Sequence, residues 1–337
     1  MIKIGLIGLG GMGSGHATTL AKMPDVQIPW VCDLIAAKAE KVGSAIGART
    51  YTDYRQGLDA VDAVWVCTEP FNRADIVTTA AAAGKHIFTE KPIGATLRDA
   101  DAMIAAARKA NVVYMLGYCL RYWNPYRLIR DTFASGELGR LVTCWTRRFM
   151  PCDMRQNRWY GHQAQSGGVV LDFGSHDIDW LRWIGGDVQT VMARTARVRE
   201  NVDADEHGSL MMGFRNGGYA AIDVSWSSYL GESSFGVVGT KGSMIVGNDG
   251  QVRKQVGEQG PPQVLEANAT VSIDPNGNLG QDPHSRVQGE NMYAHFVRCV
   301  TQRLRPISDA EEGRRALLTW MAALESARSG QAVAVGK

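Results

Sequence analysis

The hydrophobic pattern is sharpest at the start of the chain. Ile2, Ile4 and Leu6 alternate with Lys3 and Gly5, and Ile7 extends the apolar run, which predicts a short strand. Gly8, Gly10 and Gly13 follow in G-x-G-x-x-G spacing, and His16-Ala-Thr-Thr-Leu-Ala-Lys-Met has helical character. A buried strand, a glycine turn and a helix open a dinucleotide-binding βαβ unit. Gly8 permits the tight turn, Gly10 lets backbone approach a pyrophosphate, and Gly13 lets helix and strand pack closely. Gly8, Gly10, Gly11, Met12 and Gly13 are therefore candidate cofactor-binding residues. The helix N-terminus offers free N–H groups and a positive dipole end to the phosphates.

A second apolar run, Val26-Gln-Ile-Pro-Trp-Val-Cys-Asp33, predicts another strand. Asp33 follows Gly13 by about twenty residues, the spacing of the acid that hydrogen-bonds an adenosine ribose. A strand-end or helix-cap aspartate is the other reading of Asp33. A carboxylate there also repels a 2′-phosphate, which favours NAD over NADP.

Strand and helix signals alternate to about residue 120. Ala60–Cys67, His86–Thr89 and Val112–Gly117 read as strands, and Asp75–Gly84 and Leu97–Ala110 as helices. Thr96 is a candidate N-cap with Asp99 in the first turn. This alternation predicts a doubly wound parallel sheet, with ligands beyond the carboxyl ends of its strands. Thr68, Glu90-Lys91-Pro92 and the segment from Tyr118 onward fall at such ends. The pattern then changes. Tyr126–Ser135 and a long stretch within Ser166–Gly186 read as helical, and Leu141–Met150 as a strand. Val188–Val198, Glu206–Phe214, Gly218–Ser227, Ser233–Gly239 and Gly242–Val246 read as strands of a mostly antiparallel sheet. Residues 247–289 are polar and turn-rich, an expected excursion. Asn291–Arg303 and Ala310–Ser329 close the chain as helices. The expected division is residues 1–120 for the cofactor and 121–337 for substrate and oligomerisation, with the C-terminal helices as candidates to pack back on the first domain.

Composition narrows the classes. The chain has 337 residues, 45% hydrophobic and 21% charged, with a net charge of +2, which fits a globular protein of two domains and gives no argument for nucleic acid or membrane as a partner. The N-terminal apolar run is too short to span a membrane and lacks a signal peptide's pattern. The six cysteines form no CxxC pair, so buried thiols in a reducing cytoplasm are expected rather than disulfides or a metal site.

Two further stretches carry candidate chemistry. Lys91, at a strand end and fixed by Pro92, can point an ammonium at a hydroxyl or carbonyl oxygen and stabilise negative charge. A surface lysine is the plainer reading. Asp172 and His176 stand four positions apart, so a helix would put them on one face. An imidazole suits taking a proton from a hydroxyl, and a carboxylate can orient it. A structural cap and a satisfied core histidine are the other reading of the pair. Asp179, one turn on, is expected to pair with Arg182, and Asp177 to face solvent or serve a structural hydrogen bond. Asp172-Phe-Gly resembles a kinase motif, but its companion motifs are missing. No zinc-site spacing accompanies His176, Asp177 and Asp179. Arg147-Arg148 lie among aromatics in a nearly neutral chain, weak support for a nucleic-acid face. Trp159, Tyr160 and Trp226 suit a core or a sugar-stacking surface.

Together these residues resemble the Gfo/Idh/MocA oxidoreductase family over nearly the whole chain. The resemblance rests on Gly8-x-Gly10-x-x-Gly13, on Ala83-Gly84-Lys85-His86 leading to Glu90-Lys91-Pro92, and on Gly167-Gly168 leading to Asp172-x-x-x-His176. Gly239-Thr-Lys-Gly242 and Glu325-Ser326-Ala327-x-x-Gly330 also fit. It implies a Rossmann domain, a C-terminal α/β domain whose open sheet commonly builds oligomers, here a homodimer or homotetramer, and NAD(P)-linked chemistry on sugars or polyols. Lys91, Asp172 and His176 match the family's catalytic set. The run from His176 to Trp183 resembles the inositol dehydrogenase branch. Where many members carry T-P-N-x-x-H, this chain has Thr68-Glu-Pro-Phe-Asn-Arg73, which leaves the nicotinamide-side contacts open. Thr68, Glu90 and Lys91 are candidates on the cofactor side. Lys91, Arg121, Asp172 and His176 are candidates on the substrate side.

The expectation is an NAD-dependent dehydrogenase acting on a secondary alcohol of a sugar or cyclic polyol. Its rivals are an NAD-retaining enzyme that cleaves glycosides by transient oxidation and elimination, and a non-catalytic NAD sensor. The intact Lys91, Asp172 and His176 argue against the sensor, which needs no proton relay.

Overall fold

In the computed structural model, which describes residues 1–152, 159–265 and 290–336, the chain divides into two compact units. Unit 1 comprises residues 1–118 and 290–314, and unit 2 residues 119–289 and 315–337.

Unit 1 begins with β1 (Ile2–Ile7), α1 (Gly11–Leu20), β2 (Val26–Gln27) and β3 (Trp30–Cys32). The single strand expected over Val26–Asp33 is two short ones, interrupted at Ile28 and Pro29, because proline has no N–H to give a ladder. There follow α2 (Ala36–Ile46), β4 (Arg49–Tyr51), β5 (Ala63–Val66), α3 (Arg73–Ala82), β6 (His86–Thr89), α4 (Leu97–Lys109) and β7 (Tyr114–Leu116). Thr96 caps α4 by accepting from the Asp99 N–H at 3.1 Å. The strands pair in parallel in the order β4-β3-β1-β5-β6-β7, with β2 beside β1. Every residue of β3, β5, β6 and β7 is buried, as expected of a parallel sheet covered on both faces.

Unit 2 contains α5 (Asn124–Ala134), β8 (Leu141–Phe149), α6 (Gln163–Ser166), α7 (Gly168–Asp172) and α8 (Ser175–Gly185). Its strands continue with β9 (Val188–Ala196), β10 (His207–Phe214), β11 (Tyr219–Ser225), β12 (Glu232–Gly239) and β13 (Gly242–Val246). Two more, β14 (Val252–Val256) and β15 (Gln263–Leu265), occupy the start of the expected polar excursion. Its remainder, 266–289, lies outside the described residues. Chain order then gives α9 (Met292–Gln302) in unit 1, α10 (Ala310–Ser329) and β16 (Val333–Ala334). The nine-stranded sheet runs β15-β14-β13-β12-β8-β11-β10-β9-β16. Among the described residues its β8–β11 pair is parallel and the others are antiparallel.

Alternation along β8 gives the sheet two faces. Cys144, Thr146 and Arg148 are buried on the side that receives α8, while Arg147 is exposed. Met192, Met211 and Tyr219 are exposed hydrophobics, and a shallow depression of about 530 Å³ is lined by Trp145, Arg147, Met192, Met211 and Asp223 among others. Arg147 there lies 3.3 Å from Asp223 and 3.7 Å from Glu232.

Candidate active site

In unit 1 the glycine turn is built for close approach. Gly8 has φ +86°, a conformation that favours glycine. A Cβ on Gly13 would lie 1.9 Å from the Gly8 carbonyl oxygen, so α1 can seat against the turn only with glycine there. At Gly10 and Gly11 a Cβ would meet nothing within 4 Å. Gly10 is also the N-cap of α1, and no side chain caps it. The first-turn N–H groups of Gly11, Met12 and Gly13 have no acceptor within the helix. Open space over uncapped donors at a helix start fits a dinucleotide pyrophosphate. Thr68 Oγ1, beside Gly8, is buried with no hydrogen-bond partner among the described residues.

Asp33 sits beside this turn. Its Oδ2 accepts from the Leu9 N–H at 2.7 Å and its Oδ1 from the Ile35 N–H at 2.9 Å. It therefore ties the glycine loop to the end of β3, and each carboxylate oxygen keeps a further lone pair for a ligand hydroxyl.

The turn after β6 is held from below. Glu90 is buried, and its Oε1 lies 2.8 Å from His16 Nε2. His16 Nδ1 lies 2.9 Å from the Tyr293 hydroxyl. Burial pushes the Glu90 carboxyl up, but the His16 hydrogen bond and the His16, Lys91 and Arg73 charges together hold it below the ordinary carboxylate value. Arg73 is 2% exposed. It donates to the Thr68 carbonyl through Nε at 3.1 Å and Nη2 at 2.6 Å, and to the Glu90 and Pro92 carbonyls through Nη1. One guanidinium thus fixes both the end of β5 and the turn that carries the half-buried Lys91. That is what stands where the family pattern has histidine.

In unit 2, Asp172 and His176 do not share one continuous helix. Asp172 ends α7, and His176 lies in the first turn of α8. The ladder breaks between them. The Gly174 N–H bonds five residues back to Val169 at 2.9 Å, and the Phe173 carbonyl accepts from Arg148 Nη2 at 3.0 Å. The long helix expected within Ser166–Gly186 is divided into α7 and α8 for this reason. His176 is 8% exposed, and its Nδ1 lies 3.8 Å from Cys119 Sγ. Asp177 is fully buried rather than solvent-facing, gripped by Arg148 through Nε at 2.8 Å and through Nη2. Asp179 receives a two-pronged grip from Arg121, Nε at 2.8 Å and Nη2 at 2.7 Å. Both are buried, which commits two of Arg121's donors to its own unit. Trp226 is 2% exposed and belongs to the core.

Sequence reasoning did not single out His16, Tyr293 or Arg148 as partners of these candidates. The signal for Arg148 was the alternation along β8, which turns it inward while Arg147 faces out. Among the described residues, no group of His, Cys, Asp and Glu is placed to hold a metal ion, and no helix is long and apolar enough to cross a membrane.

A strand–glycine turn–helix in a parallel sheet, followed by a large mixed sheet, defines a two-domain protein with a dinucleotide-binding type of first domain. Residues 2–118 match the model of an oxidoreductase family with an NAD-binding Rossmann fold, and residues 126–245 that of the GFO/IDH/MocA C-terminal domain. An uncharacterized oxidoreductase, YrbE, of Bacillus subtilis is 30% identical over 73% of this chain and 74% of its own. The myo-inositol 2-dehydrogenase of Thermotoga maritima is 29% identical over 73% and 75%. Among solved structures, the WlbA dehydrogenase of Bordetella pertussis, in complex with NADH and UDP-GlcNAcA, superposes with a TM-score of 0.87. It is 25% identical and is covered to 98%, against 100% of this chain. The chain belongs to the Gfo/Idh/MocA oxidoreductase family and carries its NAD-binding Rossmann fold.

Proposed function

We propose that this protein is an NAD-dependent dehydrogenase acting on a secondary alcohol of a sugar or cyclic polyol. One observation carries the reading: a single chain holds an open, uncapped glycine turn and an imidazole at the start of α8, with a carboxylate at the end of the helix before it. NAD, when bound, accepts hydride from the carbon that bears the hydroxyl. Gly8, Gly10, Gly11, Met12 and Gly13 hold its pyrophosphate, Asp33 its ribose, and Thr68 and Glu90 support its nicotinamide end. His176 takes the hydroxyl proton, Asp172 orients and tunes the imidazole, and Lys91 steadies the oxygen as negative charge develops. Arg121 shapes the substrate side through Asp179.

An inositol-like substrate is the first choice. The run from His176 to Trp183 supports it, as do relatives named for inositol dehydrogenation in Thermotoga maritima, Rhizobium meliloti and Bacillus subtilis. The test is a screen of inositols and sugars that follows NADH absorbance and bond cleavage together. Accumulating NADH supports the dehydrogenase, whereas cleavage without NADH overturns it in favour of an NAD-retaining lyase. The exposed face with Met192, Met211 and Tyr219 further suggests a homodimer or homotetramer. Sedimentation as a monomer at micromolar concentration contradicts that.

A further inference from the structure

The two candidate relay residues of unit 2 are each followed directly by a residue that Arg148 holds. Phe173 follows Asp172, and its carbonyl accepts from Arg148 Nη2 at 3.0 Å. Asp177 follows His176, and its carboxylate accepts from Arg148 Nε and Nη2. The guanidinium also lies over the Phe173 ring, 4.0 Å from its centroid. Both charged partners are buried, with side-chain exposures of 3% and 0%. Burial alone works against the Arg148 charge, but Asp177 more than offsets it, and the guanidinium holds its proton more firmly than usual.

We propose that Arg148 is a positioning residue that sets the placement of Asp172 and His176 by clamping the break between α7 and α8. An unbroken helix would need the Phe173 carbonyl for the Asp177 N–H. Arg148 takes that carbonyl and anchors Asp177 by its side chain instead. The fork comes from β8, a central strand of the sheet, so the break is referred to a rigid element. Lysine cannot reproduce it, since an ammonium is a point donor without the planar fork. The functional meaning rests on the reading of His176 as the proton acceptor.

The test is NMR of the whole chain. It follows the His176 Cε1–H signal, identified by its loss in His176→Gln. Arg148→Lys keeps the positive charge, so movement of that signal reports placement rather than lost charge. The expected result is a displaced His176 Cε1–H signal, with the His295 signal of unit 1 unmoved. An unchanged His176 signal in folded Arg148→Lys protein overturns the proposal. If Arg148→Lys shows no cooperative unfolding, the double variant Arg148→Met with Asp177→Leu takes its place. It removes both buried charges together, so its readout is the Cα chemical shifts of residues 172–175: a break between α7 and α8 that closes or moves supports the clamp, and an unchanged break overturns it. The measurement needs no substrate. Normal turnover in His176→Ala would sink the catalytic reading and leave this result standing.

Discussion

His16 Nε2 and Glu90 Oε1 meet at 2.8 Å inside unit 1, on residues that belong to α1 and to the turn after β6. The pair joins the helix that opens on the glycine turn to the segment that carries Lys91. Removing His16 takes a hydrogen-bond partner from a buried carboxylate, so His16→Ala should cost roughly 1–3 kcal/mol. The sign with pH follows from the depressed Glu90 carboxyl. Its contribution is present above the ordinary carboxylate range and is lost as pH falls through the folded-state value. Without His16, only Lys91 and Arg73 are left to offset burial and the carboxyl rises, so less stability is lost on acidification than in the parent. Urea midpoints followed downward from neutral pH check both points.

The glycine turn separates fold from ligand. Gly13→Ala forces a Cβ to within 1.9 Å of the Gly8 carbonyl oxygen, and thermal stability should fall sharply. Gly10→Ala adds a methyl where nothing lies within 4 Å, at φ −64°. Stability should therefore stay near that of the parent while NAD affinity drops, because the methyl occupies space a pyrophosphate needs. Melting curves with and without NAD distinguish the two variants. Equal losses of stability would contradict the reading of the open space.

Asp33 should set cofactor choice. In Asp33→Ser the like-charge repulsion of a 2′-phosphate is gone, so the gap between NAD and NADP affinity should narrow. The tie to the Leu9 N–H, made through Oδ2 at 2.7 Å, is also weakened, so NAD itself should bind less tightly. Fluorescence titration of both nucleotides reads both effects. A parent protein that prefers NADP contradicts the assignment.

Much of this was legible in the sequence because it is local. The glycine spacing, the Thr96 cap and the alternation of β9 to β13 each depend on residues a few positions apart. What escaped depends on distant partners. Asp172 and His176 have helical spacing, but the carbonyl that would continue the helix between them is claimed by Arg148, which the sequence shows only as half of a basic pair. Asp179 offers Arg182 on its own helix, yet the fork that grips it comes from Arg121, 58 positions away. Arg73 was visible as a departure from the family pattern. Its grip on three carbonyls was not, because those carbonyls converge only when β5 and β6 pair.

The central claim is that His176 takes the hydroxyl proton as hydride leaves, and the direct measurement is turnover and NAD affinity of His176→Ala. Loss of a general base costs about 10²–10⁴-fold in rate, and the glycine turn proposed to hold NAD is untouched by the change. In His176→Ala kcat should fall by that much with NAD affinity nearly intact. Near-normal turnover would contradict it and move the base assignment to Lys91.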